Sequence, residues 1–84
     1  MIIEFTDSAY KDYLYWKRRD VKKYDRINTL CKAILQKPHE GIGKPEPLLY
    51  DLRGCWSRRI DRTHRLVYKV HKARIVVISC RFHY

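Results

Sequence analysis

The sequence predicts an α+β fold: two N-terminal helices packed on one face of a mostly antiparallel sheet of about five strands. Three observations predict it. Apolar residues recur at helical spacing up to residue 37, and a proline- and glycine-rich stretch follows at 38–47. From residue 48 onward, short β-rich runs alternate with tight connections. At 84 residues there is room for one small domain spanning 1–84 and no second core.

Residues 2–6 (Ile-Ile-Glu-Phe-Thr) open as a short strand, and Asp7 or Ser8 is placed to cap a helix running from about Ser8 to Arg19. Tyr10, Tyr13, Leu14 and Trp16 fall near one stripe of it, which reads first as core packing. Asp20 caps the second helix, where Tyr24, Ile27, Cys31 and Ile34 form the buried face with Leu30 and Leu35 beside them. It ends by Lys37, because Pro38 disfavours helical geometry in the residue before it. Only a residue or two separates the helices, so they form an antiparallel pair. In the loop that follows, Pro45 and Pro47 flank Glu46 and limit how far its carboxylate wanders. Strands are expected at 48–52, 55–61, 64–70 and 74–82, with Arg53 and Gly54 as a turn. Short connections between the last strands favour antiparallel pairing.

The formal net charge of +10 sits on the outside of a chain that is 45% hydrophobic. Such an excess attracts polyanions, which points to nucleic acid or an acidic protein as partner. No apolar run approaches transmembrane length and no signal peptide is visible, so no membrane role and a cytoplasmic location are expected. Cys31, Cys55 and Cys80 are too far apart for a metal knuckle and read as buried free thiols. His39, His64, His71 and His83 show no ligand spacing, and no metal or cofactor is implied.

Strand period puts Arg65, Val67 and Lys69 on one face, and Ser79, Arg81 and His83 on one face of the last strand. With a short connection near Lys72, the faces bearing Arg65 and Arg81 coincide, gathering positive charge on the helix-free side of the sheet. Arg59 joins them if an odd number of residues closes the hairpin, for example residues 61–63. Metal-free RNA cleavage needs a base for the 2′-hydroxyl proton, positive charge for the developing phosphorane, and an acid for the departing 5′-oxygen. Glu46, Arg65 with Arg59, and His83 supply that set. Each member alone has a plain reading, as a solvated loop glutamate, an ordinary charged face or a stray histidine. Their company is what raises them. A surface that only binds RNA or the ribosome is the competing reading, and it needs neither Glu46 nor His83. A DNA-binding role is weaker, since no recognition helix is evident.

Several runs together carry a resemblance: Gly43-Lys44-Pro45-Glu46-Pro47-Leu48, Trp56-Ser57-Arg58-Arg59-Ile60, His64-Arg65-Leu66-Val67-Tyr68 and Cys80-Arg81-Phe82-His83-Tyr84, with Asp12-Tyr13-Leu14-Tyr15-Trp16 in the first helix. In order and position they resemble the YoeB-type (Txe) toxins of bacterial toxin–antitoxin pairs, within the RelE-like superfamily. The resemblance covers essentially the whole chain. It implies a RelE-like fold, often dimeric, and a ribosome-dependent endoribonuclease that cuts messenger RNA in the A site. It also implies silencing by an antitoxin with an acidic tail. By it, Glu46, Arg59, Arg65, His83 and Tyr84 form the active site, with the glutamate and the histidine as base and acid. Ile42 and Leu49 stand where relatives can carry lysine, and Lys44 and Arg58 are expected to compensate. With Arg81, these two are the expected RNA-binding residues.

Overall fold

The computed structural model describes residues 1–82. In chain order its elements are β1 (Ile2–Phe5), α1 (Asp7–Arg19), α2 (Val21–Gln36), β2 (Glu46–Pro47), a single 3₁₀ turn (Tyr50–Leu52), β3 (Cys55–Arg59), β4 (Arg65–Val70) and β5 (Arg74–Ser79). They form one five-stranded sheet in the order β1-β5-β4-β3-β2. β1 runs parallel to β5, while the other pairs are antiparallel. Both helices pack on one face, as the alternation and periodicity of the sequence predict.

The first helix starts one residue earlier than expected, and its cap is neither Asp7 nor Ser8. The Thr6 hydroxyl accepts from Ala9 N at 3.1 Å and donates to Ile78 O at 3.3 Å. One side chain thus satisfies a free helix amide and ties the helix start to β5. Asp20 caps α2 as expected, accepting from Lys22 N and Lys23 N.

The core is built from Ala9 and Trp16 of α1 and Ile27, Leu30, Cys31 and Ile34 of α2, against Leu66, Tyr68, Ile75 and Val77 of the sheet. Full burial of each large aliphatic side chain here contributes about 1.5–3 kcal/mol. The three cysteines are buried free thiols. Burial pushes the Cys31 thiol up to about 12 and raises that of Cys80 as well. Among the described residues no helix is long and apolar enough to cross a membrane.

Three features differ from expectation. The second strand is not 48–52: the edge pairing is made two residues earlier by Glu46 and Pro47, opposite Ser57 and Trp56. An edge position tolerates Pro47, which has no amide to give a ladder. Leu48 N still bonds Cys55 O, but the chain then turns on itself through Leu52 N to Leu49 O and Arg53 N to Tyr50 O. Short apolar runs such as Leu-Leu-Tyr-Asp-Leu fit a strand or a turn equally well. The last strand ends at Ser79 rather than continuing to residue 82. Finally, β5 carries one extra residue, Ile78, because Tyr68 opposes Val77 whereas Val67 opposes Ser79.

The β3–β4 hairpin has the register that the odd-loop rule requires. Arg59 opposes Arg65, and Ile60 N and Asp61 N both donate to His64 O, leaving residues 61–63 as the turn. Asp61 holds that turn, its Oδ1 accepting from Thr63 N at 2.8 Å and His64 N at 2.7 Å.

Candidate active site

Leu66 and Tyr68 belong to the core, so their opposite numbers on β3, Arg58 and Trp56, also point toward the helices. Ser57, Arg59, Arg65, Val67 and Lys69 therefore occupy the helix-free face. Glu46, directly opposite Ser57, joins them. Sheet register alone brings Glu46, Arg59 and Arg65 together from three strands.

Arg65 is the centre of this group. Its Nε donates to Ser57 Oγ at 3.0 Å, and its Nη2 makes a close ion pair with Glu46 Oε1. The arginine side chain is 17% exposed and the carboxylate 57%. A planar guanidinium held at one edge by a buried serine has a defined orientation, which a lysine could not reproduce. The serine was missed in the sequence reading, although its alternation with Cys55 and Arg59 places it on this face. Arg59 itself is exposed, its backbone N donating to Gly43 O at 2.7 Å. That bond draws the loop onto β3. Gly43 lies at φ 83°, and a Cβ there would stand 2.9 Å from Leu30 Cδ2 and 3.1 Å from Arg58 Cβ. The close approach that delivers Glu46 thus needs glycine.

Two expected RNA-binding residues lie elsewhere. Arg58 is fully buried rather than on the rim. Its Nη1 donates to Ile42 O at 3.2 Å, its Nη2 to Lys37 O and Glu40 O, and its Nε to Tyr68 Oη at 3.2 Å. The Tyr68 hydroxyl in turn donates to Pro38 O at 2.6 Å. Arg58 therefore staples the loop from inside, because strand period aims it at the helix side. It does not replace charge missing at Ile42 and Leu49, both exposed apolar residues. Arg81 does not share the face of Arg65. Its guanidinium lies 3.7 Å from the Tyr15 ring of α1 and 4.8 Å from that of Phe82, a result of β5 ending at Ser79. Its Nε is buried with no hydrogen-bond partner among the described residues. Lys44 is exposed in the loop at φ 50°, beside Glu46 in the chain. His83 and Tyr84 lie outside the described residues.

The residues just before them are held from two sides. Cys80 N donates to Asp12 Oδ2 at 3.2 Å, and Trp16 Nε1 donates to Cys80 O at 2.9 Å. Arg65 N donates to Phe82 O at 2.9 Å, and Phe82 N donates to His64 Nδ1 at 2.7 Å. The Asp12-Tyr15-Trp16 face of α1 thus grips residues 80 and 81. Among the described residues no three of His, Cys, Asp or Glu gather as metal ligands.

Two helices on one face of this mixed sheet, with a carboxylate and arginines on the other, define a RelE-like fold. At 19% identity the fold is shared with the toxin–antitoxin complex RelBE2 from Mycobacterium tuberculosis, at a TM-score of 0.73 over 98% of this chain and 96% of that one. More narrowly, the chain belongs to the YoeB-like toxins of bacterial type II toxin–antitoxin systems, whose family model matches residues 5–84. It is 52% identical to Toxin YoeB of Synechocystis over 100% of its own length and 98% of the relative's. Among solved structures it is similar to the YoeB/ParE toxin from Agrobacterium tumefaciens, with 45% identity, full coverage of both chains and a TM-score of 0.97. The YoeB dimer from Staphylococcus aureus matches with 45% identity and a TM-score of 0.93, over 100% of this chain and 98% of that one. The YoeB–YefM complex of the same organism matches at 44% and 0.90, over 98% and 95%.

Proposed function

We propose that this toxin is a ribosome-dependent messenger-RNA endoribonuclease that stops translation by cutting in the A site. The observation that carries the reading is Arg65, oriented by buried Ser57, paired to Glu46 and directly opposite Arg59 on the helix-free face of the sheet. In this reading Glu46 takes the proton of a 2′-hydroxyl and the freed oxygen attacks the adjacent phosphorus. Arg65 and Arg59 stabilise the negative charge of the phosphorane. His83 protonates the 5′-oxygen as the P–O bond breaks, leaving a 2′,3′-cyclic phosphate and a 5′-hydroxyl. Tyr84 completes the site, and Lys44 supplies a backbone-phosphate contact. No step calls on a metal or other cofactor.

Cation-lined surfaces that only bind RNA have no use for a carboxylate fixed among the arginines, and this favours cleavage over mere binding. Acting on ribosomes places the protein in the cytoplasm. By likeness to the S. aureus structures we further propose assembly as a homodimer and silencing by a cognate antitoxin with an acidic segment.

The test is purified protein added to translating ribosomes, with cuts mapped by primer extension. Arg65→Ala and His83→Ala are expected to lower cleavage by about 10²-fold or more while circular dichroism stays native. Products ending in a 3′-hydroxyl, or full activity in His83→Ala, would overturn the mechanism.

A further inference from the structure

We infer that His64 is a positioning residue: its Nδ1, accepting from Phe82 N, fixes the backbone of the residue that precedes residues 83 and 84 in the chain. The inference rests on the cleavage reading, in which those two residues act at the scissile bond.

The imidazole is wedged between two elements. On one side the Trp16 ring of α1 meets it edge-on at 4.7 Å between centroids. On the other lies the Phe82 ring at 5.3 Å. The His64 backbone is pinned as well, its N donating to Asp61 Oδ1 and its O accepting from Ile60 and Asp61. A ring so confined presents its Nδ1 in one direction. Phe82 N donates to that atom at 2.7 Å, and Phe82 O accepts from Arg65 N.

Phe82 therefore has both backbone groups tied to two consecutive residues of the β3–β4 hairpin. It also sits at φ 63°, a left-handed conformation that a phenylalanine rarely adopts unless its surroundings impose it. Arg65 is itself bonded to Glu46 and Ser57, so the hairpin that orients the carboxylate also sets where the next two residues begin. An acceptor Nδ1 places the neutral ring's proton on Nε2. The hydrogen bond, not the ring volume alone, defines the position.

Two substitutions separate those contributions. His64→Asn keeps an acceptor oxygen close to the position of Nδ1 but loses the ring, and His64→Phe keeps a ring and loses the acceptor. Two readouts are taken. The first is amide exchange at Phe82 in the free protein, which does not depend on cleavage. The second is the single-turnover rate on ribosomes, with ribosome affinity measured separately. In His64→Phe, Phe82 exchange is expected to quicken about tenfold, the ratio an ordinary hydrogen bond supports, and the cleavage rate to fall similarly at unchanged affinity. His64→Asn is expected to stay within about threefold on both readouts, since its acceptor substitutes for the lost one.

Normal Phe82 protection and rate in His64→Phe, with loss of both in His64→Asn, would show that the ring only packs. Faster exchange with an unchanged rate in an active protein would remove the positioning role. If the wild-type protein cuts no RNA, the cleavage reading fails, and the positioning role fails with it whatever the exchange data show.

Discussion

Two arginines on neighbouring strands, Arg58 and Arg65, meet opposite fates because successive residues on a strand face opposite ways. Arg58 is held by three loop carbonyls and a tyrosine hydroxyl, with no carboxylate among these partners. A buried guanidinium is tolerated only where its donors are met, and a planar fork meets several at once. Tyr68 shares the site: burial raises its hydroxyl pKa, and Arg58 partly offsets the rise. Arg58→Met is expected to cost about 2–4 kcal/mol, since it strands buried acceptors, and Arg58→Lys to recover little of it. For a domain of this size that is a fall of roughly 10–30 °C in Tm, measurable by calorimetry. A lysine variant melting within a few degrees of wild type would contradict the fork argument. Arg65→Ala is expected to leave Tm nearly unchanged, because that arginine lies on a partly open face and binds one serine and one exposed carboxylate.

At the scale of elements, the β3–β4 hairpin carries more of the site than any other unit, and Asp61 holds its turn. Burial raises the Asp61 pKa, but donation from His64 N and Thr63 N and the nearby Lys23 outweigh it, so the carboxyl lies below its ordinary value of 3.8. A depressed folded pKa means stability that is present above the unfolded value and lost as pH falls through the folded one. The advantage of wild type over Asp61→Ala is expected to be about 1–2 kcal/mol near neutrality. It should shrink as pH drops below about 4, measured as denaturation midpoints across pH 6 to 2. A difference that stayed constant over that range would mean the charge is not what holds the turn. The loop before β2 is a second such unit, where Gly43→Ala has to push Leu30 and Arg58 aside at an unfavourable φ. It is expected to be destabilised by about 1–3 kcal/mol in the same assay and to cleave more slowly, because Glu46 follows on that loop.

For the whole molecule the controlling quantity is a net charge of +10 on a chain whose radius of gyration is 11.6 Å. A field of that sign steers acidic peptides and RNA alike. Binding of a cognate acidic antitoxin segment is expected to show an association rate that falls about tenfold or more from low to high salt, because the Debye length shortens from about 30 Å at 0.01 M to about 3 Å at 1 M. Stopped-flow traces at several ionic strengths check this. A rate indifferent to salt would rule out charge steering, and a complex that leaves Glu46 and the arginine face open would rule out silencing by occlusion.

Period, capping and composition by themselves determined the two helices, three of the five strands nearly to their ends and the buried thiols. These follow from local rules, in which a side chain's direction depends only on its place in a helix or strand. Those rules do not fix the length of the hairpin turn: an odd number of residues puts Arg59 with Arg65 and an even number parts them, and the tertiary structure supplies the three-residue turn. Tertiary structure decided the rest, where one residue's partner comes from a distant part of the chain. Arg58 reads as a surface charge until the carbonyls of the loop close around it. The run at 48–52 reads as a strand until the edge pairing is taken by Glu46 and Pro47. Arg81 reads as a strand residue until Ser79 ends β5 and Tyr15 offers its ring. Strand period gives the face of Ser57, but neither Ser57 nor His64 reads as an acceptor in the sequence, because an acceptor is recognised only by the donor that arrives at it, here Arg65 Nε and Phe82 N.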